Sequence, residues 1–155
     1  MRANADANKF NQANSVFKDW KDGDDRLGFQ HDVGYWKLNR ITNDVAERAK
    51  IRKIMFSHFR QLTEIFIQSI AHYNDPPDIK KREFASFCKE AGILDAHLNT
   101  GIIDTYFKAT NFEEQDMETN DDNALCRFEF LEIIIRLAKG KYLDRGKVAN
   151  LSQAV

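Results

Sequence analysis

The chain has 155 residues, 43% hydrophobic and 30% charged, and its 23 Lys and Arg against 24 Asp and Glu leave a formal net charge of −1. That length holds one domain, or two small joined lobes, with a real core, and the even charge balance gives no global attraction for nucleic acid or an anionic membrane. No apolar run reaches the ~20 residues that a bilayer span needs.

Cys88 and Cys126 are the only cysteines and have no CxxC partner. With no signal peptide at the start, the reading is a cytoplasmic protein with two reduced thiols. Twelve phenylalanines, many at helical spacing, point to an aromatic-rich helical core.

Residues 1–8 are small and polar and read as a frayed end. Phe10, Ala13, Phe17 and Trp20 recur at helical intervals and predict a first short helix. KDGDD, residues 21–25, then reads as a turn because Gly23 stands among aspartates. GYWKLNRI is either a brief helix or an extended anchor, pinned to the core by Tyr35, Trp36 and Leu38.

Asp44 and Glu47 form a capping pair ahead of a long helix. Along it Ile51, Met55, Phe59, Leu62, Phe66 and Ile70 make one apolar stripe. Its exposed face carries Arg48, Lys50, Arg52, Lys53 and Arg60, which reads as a solvated basic face. Pro76 and Pro77 stop what precedes them.

Lys80 to Ala91 predicts the next helix, with Gly92 as its left-handed stop. A further helix runs from about Thr100 to Ala109, followed by an acidic loop. The last strong helix starts near Arg127 and fades by Tyr142. LSQAV reads as the opening of a helix cut short, so the sequence is expected to be a piece of a longer protein.

Two segments align. Ile79 and Leu125 are each followed by three spacers and then Glu-Phe, Glu83-Phe84 in the first and Glu129-Phe130 in the second, leading into a helix. The pattern is that of the second half of a helix–loop–helix calcium loop. There the apolar residue at position 8 pairs with its twin, the glutamate at position 12 gives both oxygens to the ion, and the phenylalanine enters the shared core.

On these residues the chain resembles a degenerate EF-hand pair of the calmodulin-like superfamily. The tail CRFEFLEIIIRLAKGKY is also similar, more loosely, to helices of long protist cytoskeletal or flagellar proteins. The resemblance implies an all-α fold: an N-terminal helical extension at 1–58, the pair at 59–143 and the start of a C-terminal helix at 144–155. A two-residue β-bridge between Ile79 and Leu125 is expected, and Phe107 would close the helix entering the second loop.

Counting back from Glu83 puts His72, Asn74, Pro76 and Pro77 at positions 1, 3, 5 and 6. Proline cannot supply the oxygen or the sharp turn needed there, so the first loop is expected to bind no calcium. In the second loop Glu118, Asn120, Asp122 and Glu129 stand at positions 1, 3, 5 and 12, with the Ala124 carbonyl at 7. Phe107 argues the other way, because it fits only if the loop runs from Asn111 to Glu129, longer than the usual twelve residues.

Nucleotide, zincin and serine-hydrolase signatures are absent from the sequence, and no nucleophile or base stands out. The resulting expectation is a non-enzymatic interaction or structural module with no cofactor, holding a polypeptide such as an amphipathic helix in cis or in trans. The rival is a calcium sensor or buffer that uses residues 118–129.

Overall fold

The computed structural model describes residues 18–70, 77–112 and 123–155. These form seven α-helices: α1 (Asp22–Tyr35), α2 (Val45–Ser57), α3 (Phe59–Glu64), α4 (Lys81–Glu90), α5 (Thr100–Asn111), α6 (Arg127–Ala138) and α7 (Leu151–Ala154). Two two-residue strands, β1 (Ile79–Lys80) and β2 (Ala124–Leu125), complete the described fold. The architecture is all-α around one minimal antiparallel ladder.

Four readings of the sequence need correction, the last of them at Glu47. KDGDD is not a turn but the start of α1. Lys21 is extended, its N–H donates to the Asp24 carboxylate at 3.1 Å, and acidic side chains in a first turn favour the positive end of the helix dipole. Asp25 then pairs with Arg60, which takes that arginine out of the solvated basic face.

The expected long helix is also broken. The Ser57 hydroxyl donates back to the Ile54 carbonyl at 2.6 Å, and His58 closes α2 with φ −110° and ψ 5°. Such back-bonding competes with the helical ladder and bends it. α3 restarts at once and passes into a π-helical segment, Ile65–Ile70, so Ile51, Met55, Phe59 and Phe66 all still reach the core.

Tyr35 is the third correction. Trp36 and Leu38 are buried as expected, but Tyr35 is 43% exposed and lies flat on Phe128, with centroids 4.8 Å apart. GYWKLNRI therefore ends α1 and forms a 3-10 turn at Leu38–Arg40.

Other boundaries follow the sequence. Asp44 caps α2, accepting from the N–H groups of Ala46 and Glu47, and Asn99 caps α5 through Gly101 and Ile102. Glu47 does not return the capping bond. Its buried carboxylate accepts from Ser152 N–H at 2.8 Å and Lys50 Nζ at 2.9 Å, fastening α7 to α2. Gly92 stops α4 with φ +67°, a conformation that L side chains rarely adopt.

The Phe10, Ala13 and Phe17 helix and the segment His72 to Pro76 lie outside the described residues. No described helix is long and apolar enough to cross a membrane.

The connection between α4 and α5 is locked by one carboxylate. Asp95 accepts from the N–H groups of Leu98 and His97 at 2.8 and 2.9 Å, and Arg145 reaches it at 2.7 Å. The Leu98 bond first, then Arg145, then His97, hold its carboxyl well below the usual range. A depressed folded pKa adds stability above the unfolded value, near 4, and that stability is lost as pH falls through the folded value. In urea melts across pH, the stability gap between the wild type and Asp95→Asn should be level from about pH 8 to 5 and close progressively below about pH 4. A gap that closes near neutrality would mean that another group carries the effect.

Candidate functional site

The two aligned segments meet in space. β1 and β2 pair antiparallel in the register Ile79 to Leu125 and Lys80 to Ala124, and both apolar partners are fully buried. The expected bridge is present, and it brings together the starts of α4 and α6, helices far apart in sequence.

Beyond the bridge the two halves repeat each other's chemistry. Lys80 and Cys126 are extended residues that cap α4 and α6. Each donates its N–H to the glutamate three positions on, Lys80 to Glu83 at 2.9 Å and Cys126 to Glu129 at 3.0 Å. Both glutamates thus satisfy an N–H that the helix geometry leaves unpaired.

The phenylalanines that follow are both fully buried. Phe84 lies 6.1 Å from Phe107, and Phe130 lies 5.5 Å from Phe66 and 5.9 Å from Phe87. Phe107, buried on α5, joins the same aromatic cluster.

The halves differ in solvent access: Glu83 is exposed, whereas Glu129 is 1% exposed. Of the calcium ligands read from the sequence, Glu118, Asn120 and Asp122 lie outside the described residues, leaving Ala124 and Glu129. Ala124 is held in the ladder, and one Glu129 oxygen caps α6. A calcium ion takes six to eight oxygens, so these two residues do not constitute a site by themselves. Among the described residues no three His, Cys, Asp or Glu side chains are grouped to hold a metal ion.

Thiol chemistry is disfavoured at the same place. Burial first, then the charge of Glu129, pushes the Cys126 thiol far up, and burial pushes Cys88 up to about 12. A thiol held in its protonated form is a poor nucleophile and a poor ligand. Both cysteines are free.

A second constellation holds the N-terminal segment against α6. Asp32, 1% exposed, takes Arg127 in a two-pronged pair at 2.7 and 2.8 Å. Trp36 Nε1 donates to the Phe128 carbonyl at 3.0 Å, and the Trp36 ring meets Phe29 edge-on at 5.5 Å. One helical turn further, Glu132 is fully buried and accepts from the Lys37 N–H at 2.9 Å and from Arg136 at 2.9 and 3.2 Å. Lys37 Nζ spans to the Thr110 carbonyl of α5 at 2.8 Å.

A planar guanidinium on a carboxylate fixes direction as well as distance, and buried charges are retained only where such partners exist. The sequence reading passed over this clamp. Its one visible signal was Glu132 in the middle of FLEIII, a carboxylate inside an otherwise apolar helical run.

A cleft of about 470 Å³ lies between α4 and α5, floored by Ala85, Ile103 and Phe107, with Lys81, Arg82 and Asp104 among its other lining residues. Lys81 is ion-paired with Asp104. No protein-family model, curated protein or solved structure matches the chain.

Proposed function

We propose that this chain is a non-enzymatic interaction or structural module, built on a degenerate EF-hand-like pair whose outer face is filled in cis by the chain's own N-terminal segment. The observation that carries the reading is the clamp of residues 32–37 on α6. Asp32, Trp36 and the Lys37 N–H occupy the polar groups that α6 offers along one side, namely Arg127, the Phe128 carbonyl and Glu132. A face used in this way is fixed by the chain itself and does not wait for an ion to open it.

The Ile79–Leu125 ladder and the matched Glu83 and Glu129 caps support descent from a paired-loop ancestor. In this reading the two glutamates, which in calcium loops give both oxygens to the ion, serve instead as helix caps. The looser similarity of the α6 sequence to cytoskeletal and flagellar helices is compatible with work inside an assembled structure.

Calorimetric titration of the intact chain with calcium chloride tests the proposal, with Glu129→Gln alongside. Neither protein is expected to give a saturable micromolar isotherm. A micromolar isotherm in the wild type that the substitution abolishes would make the chain a calcium sensor or buffer instead.

A further inference from the structure

We infer that the solvent face of α2 is a docking surface for an acidic amphipathic helix of a partner protein. The buried side of α2 is accounted for, because Glu47, Ile51 and Met55 face the core. Val45, Ala49, Arg52 and Phe56 follow at intervals of four, three and four, which places them along one exposed line of the helix. Val45 is 70% exposed, Phe56 is still 39% exposed although its ring packs on Phe29 with centroids 5.1 Å apart, and the small Ala49 between them leaves room for a second backbone to approach.

Charge on this face has one sign. Arg52 lies on the line and Arg48 and Lys53 flank it, and none of the three makes an ion pair among the described residues. Elsewhere cations are mostly used internally: Arg60 on Asp25, Arg127 on Asp32, Arg136 on Glu132 and Arg145 on Asp95. The one carboxylate within α2 itself, Glu47, is turned away into its contact with Ser152.

The chemistry selects among occupants. A second copy docking through this same face would set like charges against each other. A membrane-surface helix needs a broad apolar face with Trp, Phe or Leu along it, and this one offers a single valine and a single phenylalanine at its two ends. A few cations on a chain of net charge −1 make a weak nucleic-acid footprint. Glutamates flanking an apolar stripe satisfy both the exposed side chains and the unpaired cations. The inference does not depend on whether the loop after α5 binds an ion.

The test titrates the intact chain, isotopically labelled, with a synthetic amphipathic helix of about 18 residues that carries leucines on one line and glutamates beside it. The same peptide scrambled, vesicles containing phosphatidylserine and a DNA duplex serve as comparators. Amide shifts concentrated in residues 45–57 with the ordered peptide are expected, weakening as ionic strength rises.

Arg52→Glu with Lys53→Glu should reduce affinity roughly tenfold or more with melting curves little changed, because both side chains are exposed. Phe56→Ser should reduce affinity several-fold and also lower the melting temperature, because the ring packs on Phe29. Equal binding of the scrambled peptide would overturn the inference. So would shifts outside α2, or a response at α2 only to vesicles or DNA. Loss of binding in Phe56→Ser accompanied by a lowered melting temperature would count only if the double charge variant, still folded, kept full affinity, and in that case it would count against the inference.

Discussion

Glu132→Ala is expected to destabilise the fold by about 3–5 kcal/mol, the range for removing one partner of a buried ion pair. The side chain is fully buried and serves three donors at once: the Lys37 N–H and two guanidinium nitrogens of Arg136. Truncation leaves Arg136 without its carboxylate and an amide of the N-terminal segment without its acceptor. Domains of this size are stable by only about 5–15 kcal/mol, so the loss should be plain in urea melts.

Glu132→Gln keeps the shape and an acceptor oxygen and should cost clearly less. Combining Glu132→Leu with Arg136→Met should recover part of the loss but not all of it. An apolar pair removes the Glu132 and Arg136 charges, whereas the Lys37 amide still lacks an acceptor and its ammonium loses the carboxylate 3.5 Å away. A Glu132→Ala protein within 1 kcal/mol of wild type would show that the clamp contributes little, and with it the cis-filled reading would lose its main support.

The second large effect is expected at Phe130. Phe130→Ala should cost about 3–5 kcal/mol, because the ring has no solvent exposure and packs against both Phe66 and Phe87. Those partners come from different parts of the chain, the π-helical segment after α3 and the second half of α4. Phe130→Leu keeps much of the buried volume and should fall well below the alanine value. Phe128→Ala, whose ring is only partly buried and lies on the exposed Tyr35, is expected to be much milder. Equal costs at 128 and 130 in the same denaturation series would contradict the assigned core.

Much of this core was legible in the sequence. Ile51, Met55, Phe59 and Phe66 sit at the spacing of a helical stripe, and all are buried even though the helix beneath them breaks. Burial follows the angular period, which a short interruption hardly disturbs, whereas the break coincides with a single hydroxyl, that of Ser57, turning back on a carbonyl. The matched Glu-Phe motifs led to the correct strand register because an apolar residue ahead of a capped helix has few places to go.

α1 was not legible. Its composition, DGDDRLGFQHDVGY, contains four turn-favouring aspartates and three glycines and little amphipathic pattern. Its partners are long-range: Asp32 needs Arg127, Trp36 needs the Phe128 carbonyl, and neither partner is visible to a local reading. Tertiary contacts override weak local preference here. The same applies to the candidate site. The glutamates were found as loop positions, but their capping role rests on the extended backbone of Lys80 and Cys126, which no motif states.

The clamp also bears on how the chain is made. The contacts of Asp32, Trp36 and Lys37 lie 92 to 95 residues further along, and Glu47 waits 105 residues for Ser152. At about 5–20 residues per second, a ribosome delivers those partners roughly 5–20 s after the N-terminal segment has been synthesised. During that interval the indole of Trp36, buried at the end, has no Phe128 carbonyl to meet. The N-terminal third therefore spends part of synthesis without these partners, and slowing translation ahead of residue 127 should lower soluble yield more than slowing it between residues 140 and 155.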